Sequence, residues 1–191
     1  MATIISSNGF KLRALKISDY TSMCETLEDF PVAAMTMSMV QKEMSVMLGT
    51  GNLFEPYDTS TYKAIALVLE KDSTFLGFRY TIFEEGVAEV RMEAIHPDER
   101  GKKYASALGL LHGYWYVNTL NVTSMWGEGA STTDATNYAI PWRAVHTGTE
   151  TTRASQKISS VNLGKLSFTA AEFTNKLNNH STYGSVTFTV S

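Results

Sequence analysis

The chain has one cysteine, Cys24, in 191 residues. That excludes an internal disulfide and any zinc site built on several thiolates. Histidines are also few, four in all. No pair of them sits at ligand spacing with a carboxylate, so no metal is expected. Charge is sparse: 18% of residues are Asp, Glu, Lys or Arg, and the formal balance is -3. Without a global basic field, and without a strand mixing aromatic and basic residues, nucleic acid is not an expected partner. No apolar run approaches about 18 residues, so no membrane span is expected. The N-terminus lacks a basic stretch followed by an apolar run, the mark of a secretory signal, and the cytoplasm is the expected compartment. Repeats and low-complexity blocks are absent as well. What is there is an ordinary globular composition, 43% hydrophobic, long enough to bury a full core as one domain over residues 1–191.

Residues 10–15 alternate apolar and polar side chains and predict a half-buried strand. Ser18 and Asp19 offer a helix start. One helix is expected from about Asp19 to Phe30, where Pro31 breaks it. A second is expected over about 32–48, lined by Met35, Met39, Met44 and Met47 and closed by Gly49. Three strands follow, at 62–69, 74–83 and 87–95, joined by short polar turns at 70–73 and 84–86. Such a run reads as an antiparallel meander. In its third strand, simple alternation puts Val90, Met92 and Ala94 on one face and Glu89, Arg91, Glu93 and Ile95 on the other. A helix from Lys102 to about Asn118 places Ala105, Leu108, Leu111, His112 and Trp115 on one stripe. The strand expected at 122–126 makes this a crossover, which requires a parallel pair. The Thr-, Ala- and Gly-rich stretch 127–152 reads as loops around one short helix, 131–140. A strand at 157–168, a helix opened by the capping box Thr169-Ala-Ala-Glu172 and a strand at 185–190 complete the order. The fold class is α/β of the α+β kind, with a mixed, mostly antiparallel sheet and flanking helices. It is neither a doubly wound sheet nor a barrel.

Chemistry concentrates in Glu89 to Leu108, EVRMEAIHPDERGKKYASAL. Here a strand ends and a short loop feeds the start of a long helix, which offers backbone N–H groups and the positive end of the helix dipole. Arg100, Lys102 and Lys103 add three positive charges. Together these features suit a pyrophosphate. The same residues also fit a solvated basic surface, since cations at a helix start oppose the dipole. Ile95, Pro97, Arg100, Gly101, Ala105 and Leu108 match the pattern V-x-P-x-x-R-G-x-G-x-G/A-x-x-L, and in this the chain resembles the GNAT superfamily of acyl-CoA N-acyltransferases. The middle glycine of that pattern is replaced by Lys103. The order of elements from about Phe10 to Phe168 is similar to that of the family too.

The resemblance implies acetyl-CoA as co-substrate and an amine as acceptor, in a ternary complex. It implies a splayed parallel strand pair that admits the pantetheine arm. Coenzyme contacts are then expected at Ala94, Ile95, His96 and Pro97, at Arg100, Gly101, Lys102, Lys103, Tyr104 and Ala105, and at Ser131. The backbone N–H near Ile95 would polarise the thioester carbonyl. Glu93, and after it Glu89, stand where members carry a general base, although the two also fit a surface charge ladder with Arg91. Ser131, Ala135 and Tyr138 fit N-x-x-x-A-x-x-Y with Ser for Asn, which implies Tyr138 as the acid; a core tyrosine is the alternative. His96 in its turn reads as surface and His112 as a packed core group. A second class of function stays open beside the enzyme: a catalytically degenerate member kept as a structural or interaction module of a larger assembly. A homodimer through the C-terminal strands is a further expectation.

Overall fold

The computed structural model describes residues 3–28, 63–130, 149–154, 162–179 and 187–190. The helix expected over 32–48, with its four methionines, and the short helix at 131–140 lie outside the described residues. So do Ser131, Ala135 and Tyr138.

The first strands are β1 (Thr3–Ser7) and β2 (Phe10–Ala14), followed by a 3-10 turn (Ile17–Asp19) and α1 (Tyr20–Glu28). The meander is β3 (Lys63–Lys71), β4 (Thr74–Glu84) and β5 (Val87–Ile95), as its alternation predicts. A second 3-10 turn (Pro97–Glu99) leads to α2 (Tyr104–Asn118) and β6 (Ser124–Ala130). Then come β7 (Thr149–Ala154), β8 (Asn162–Thr169), α3 (Ala170–Asn178) and β9 (Thr189–Val190). The nine strands form one sheet in the order β7-β8-β6-β5-β4-β3-β2-β1-β9. Among the described residues only β5 and β6 pair in parallel, because α2 carries the chain across between them.

Three hairpins turn on two residues with positive φ: Asn8-Gly9, Asp72-Ser73 and Glu85-Gly86. Paired left-handed residues give the twist that adjacent antiparallel strands need. Asn8-Gly9 is thus the signal that β1 precedes β2, and the strand expectations above omit it. β6 and β7 likewise claim both ends of the stretch read as loop. The strand expected over 185–190 is reduced to Thr189–Val190 among the described residues. The capping box is present: Thr169 Oγ1 accepts from the Glu172 N–H at 3.2 Å, and Glu172 accepts from the Thr169 N–H at 2.7 Å.

The core has two halves, one on each side of the sheet. On one side α2 and α3 pack on Phe10, Leu12, Leu67, Phe83, Ala88 and Val90. α2 is buried almost all round, as a helix between a sheet and another helix must be. On the other side Met23, Cys24 and Leu27 of α1 pack on Val68, Phe78, Tyr80 and Ala94. α1 is fixed at its entry by Arg13, whose guanidinium grips both carboxylate oxygens of Asp19 at 2.8 Å and Glu70 at 2.6 Å. Among the described residues no helix is long and apolar enough to cross a membrane.

The face assignment of β5 is corrected. Tyr80 pairs with Met92, but Thr81 pairs with Val90, so Arg91 is an extra residue in a β-bulge. Before the bulge, even-numbered residues face α2; after it they face α1. Glu89 and Glu93 therefore lie on opposite faces, and Val90 does not share a face with Met92 and Ala94. A bulge breaks the two-residue period without altering the composition of the strand, which is why alternation misplaces half of it.

Candidate active site

Two features of β5 prepare a site at its C-terminal half. The parallel ladder with β6 runs from Val87–Ser124 to Val90–Gly127 and ends there. From Gly127 on, β6 continues only with β8, as far as Ala130. The two strands thus part beside the bulge. Beyond it the His96 N–H bonds the Leu76 carbonyl at 2.9 Å. Antiparallel ladders alternate, so the N–H groups of Ile95 and Glu93 point the other way, toward the side from which β6 has departed.

The loop after β5 folds back on the strand. Arg100 Nε donates to the Ile95 carbonyl at 3.1 Å, and Lys102 Nζ donates to Glu99 at 2.8 Å. The Glu99 hydrogen bond raises the Lys102 pKa above its ordinary value. Lys103 caps the start of α2, two residues later than the helix start expected at Lys102. Its φ is 63° and ψ 20°, in the left-handed region. Lys103 thus holds a left-handed backbone of the kind that favours glycine, one residue before α2 presents its first N–H groups. A non-glycine residue there costs about 1 kcal/mol. Lys103→Gly is expected to stabilise the chain by about that amount, read as a shift in the urea midpoint. An unchanged or lower midpoint would contradict the conformation.

His96 is not a free surface residue. Its side chain is 14% exposed and Nε2 meets Glu25 of α1 at 2.9 Å. The Asp98 N–H is donated to Nδ1 at 3.3 Å, so Nε2 carries the proton. The pair joins α1 to the end of β5.

Glu93 and Glu89 have different settings. Arg79 of β4 donates through Nε to Glu93 Oε2 at 2.7 Å and through Nη2 to the same oxygen. Arg79 is 2% exposed, with Tyr116 and His112 of α2 beside it. The Tyr116 hydroxyl shares a hydrogen bond with Thr81 at 2.7 Å, and burial raises its pKa well above the usual value. Glu89, on the opposite face, is paired with Arg91 at 2.9 Å. It lines a cavity of about 280 Å³ with Ile82, Glu84, Glu85, Val87 and Trp126. Three carboxylates around an indole ring favour a cation there. Sequence reading misses this cavity because Trp126 joins it from β6, across the parallel pair.

His112 is fully buried, as expected of a core group. Nδ1 bonds the Leu108 carbonyl at 2.7 Å, while Nε2 has no partner. Burial, and next Arg79, hold its pKa well below the ordinary value, so it is neutral in the fold. Unfolded, it takes a proton near its ordinary pKa of 6.5. The unfolded chain thus binds more protons, and stability present above pH 6.5 is lost below it, by about 1.4 kcal/mol per pH unit until the folded group titrates. His112→Phe is expected to flatten that slope in urea midpoints measured from pH 7 to 5. An unchanged slope would assign the loss to other groups.

No group of three or more His, Cys, Asp or Glu suited to a metal occurs among the described residues. No protein-family model and no curated protein sequence matches the chain. Solved structures do. A chimera of spermidine N-acetyltransferase SpeG from Vibrio cholerae and hSSAT superposes with a TM-score of 0.70 at 13% identity, covering 88% of this chain and 99% of that one. Vibrio cholerae spermidine N-acetyltransferase in complex with CoA and spermine gives 0.64 at 13%, covering 86% and 98%. The Vibrio cholerae SpeG structure with manganese ions gives 0.62 at 12%, covering 88% and 96%. Identities this low carry the fold: the chain has the acyl-CoA N-acyltransferase, or GNAT, fold.

Proposed function

We propose that the protein is an acetyl-CoA-dependent N-acetyltransferase acting on an amine. The parting of β5 and β6 after Val90 and Gly127 carries this reading, since it leaves a strand edge beside a helix start. The pyrophosphate lies against the loop of Arg100, Gly101, Lys102 and Lys103 and the first N–H groups of α2, at Tyr104 and Ala105. The pantetheine amides pair with the free edge of β5 from Glu93 to Pro97. The Ile95 N–H polarises the thioester carbonyl. The acceptor ammonium gives a proton to a base, its freed electron pair forms the C–N bond, and the C–S bond breaks. Sulfur leaves with that bond's electrons and is protonated as free coenzyme A. Glu93, directly or through a water, is the base of this proposal. Tyr138, outside the described residues, keeps the acid role and Ser131 a coenzyme contact. The carboxylates of Glu84, Glu85 and Glu89 would draw a positively charged acceptor, in keeping with a neighbour that holds spermine.

Isothermal titration with acetyl-CoA tests the reading, with binding expected in the micromolar range. A flat titration at millimolar ligand would sink it and favour the non-catalytic module.

A further inference from the structure

The buried pair of Arg79 and Glu93 has a geometry that a stabilising ion pair does not need. A guanidinium and a carboxylate usually meet fork to fork, with one donor for each oxygen. Here Nε and Nη2 of Arg79 both go to Oε2 of Glu93, and Oε1 accepts nothing from the described residues. The two side chains are unequally buried, Arg79 at 2% and Glu93 at 11% exposure. The clamped oxygen faces the buried guanidinium, and the carboxylate keeps an outlet.

The surroundings explain why the clamp holds one arrangement. On β4, Arg79 and Thr81 face α2. From α2, the Tyr116 hydroxyl shares a hydrogen bond with Thr81 and lies beside Arg79. His112 also faces Arg79; it is neutral and adds no second cation. Glu93 is an anion paired directly with the Arg79 guanidinium. On β5, Glu93 lies just past the bulge, beside the edge that β6 has left.

We infer that Arg79 is a positioning residue. By taking Oε2 of Glu93 with two donors, it presents Oε1 as the single proton-accepting oxygen at the parted strand edge. The inference rests on the acetyltransferase reading above and adds a residue to it. In the reaction Oε1 takes the proton from the acceptor ammonium, directly or through one water, and Oε2 stays bound to Arg79 throughout.

The test uses formate as a detached carboxylate. Glu93→Ala leaves the Arg79 guanidinium buried beside a space of carboxylate size. Millimolar formate is expected to raise the melting temperature of Glu93→Ala and not that of Glu93→Ala combined with Arg79→Met. With acetyl-CoA and spermine, Glu93→Ala is expected to lose about 100-fold in kcat at nearly unchanged KM for acetyl-CoA, and formate to return about tenfold of it only while Arg79 is present. Formate that changes neither melting nor turnover overturns the clamp. Formate that stabilises the variant without restoring turnover, in a background where the wild type is active, overturns the positioning role. A wild type that neither binds acetyl-CoA nor transfers acetyl overturns the enzyme reading and the role with it, while the melting arm still shows whether Arg79 holds an anion. Should Glu93→Ala fail to fold, Glu93→Gln keeps an oxygen for Arg79, and an undiminished kcat in that variant overturns the inference.

Discussion

Charge reversal at Arg100 is expected to weaken acetyl-CoA binding about 100-fold, or about 2.8 kcal/mol. Arg100 has two tasks in the proposed site. Its Nε ties the loop to the Ile95 carbonyl at 3.1 Å, and its charge stands where the pyrophosphate would lie. Glutamate at this position loses the tie, repels the phosphates and places a second carboxylate beside Glu99. Charge-assisted hydrogen bonds to phosphate are among the stronger polar contacts, and a misplaced anion costs as much again. Titration calorimetry reads the loss directly. Arg100→Lys keeps the charge without the planar fork and is expected to fall between the two. The half-buried side chain lies outside the core, so the urea midpoint should move little. Affinity within threefold of the wild type would remove this loop from the coenzyme site.

Gly113→Ala is the second large effect, and its sign is opposite to the usual one. In an open helix, replacing glycine by alanine gains about 1 kcal/mol. At Gly113 of α2, a Cβ would lie 2.2 Å from Cε2 and 2.4 Å from Cζ of Phe173. Phe173 of α3 is 1% exposed and belongs to the core between α2 and the sheet. It cannot yield without moving α3, so a net loss of about 1–3 kcal/mol is expected. The control is Phe173→Ala, which by itself costs about 3–5 kcal/mol. In that background the added methyl has room, and Gly113→Ala should become neutral or stabilising. A urea double-mutant cycle measures the difference. Additive losses would show that the two helices do not meet as closely as described.

Much of this architecture is legible in the sequence because it is local. The meander from Lys63 to Ile95 is written in alternation and in polar two-residue turns, and the crossover follows from one long helical stripe. The capping box at Thr169 and Glu172 marks its helix to within a residue. What alternation could not supply is the bulge at Arg91, since one extra residue changes no composition and yet turns Glu93 away from Glu89. The Arg79 clamp was hidden for a related reason. Arg79 looks like one polar residue in an apolar strand, and its partner lies fourteen positions on, across a register that the bulge has shifted. Lys103 is the converse case. It departs from the glycine of the family pattern in side chain, yet its φ of 63° lies in the left-handed region that favours glycine.

The parting of β5 and β6 also makes a mechanical seam. On one side lies the meander with β1 and β2; on the other lie β6, β7 and β8, and the parallel ladder crosses between them at four registered pairs, Val87 to Val90. A molecule lodged above those rungs with amides facing β5 acts as a staple across this short parallel ladder. Its binding energy then appears as resistance to opening of the distal strands, growing with the logarithm of its concentration above the dissociation constant. Slowed amide hydrogen exchange along Ser124 to Ala130, far from any phosphate, would be the sign of that staple.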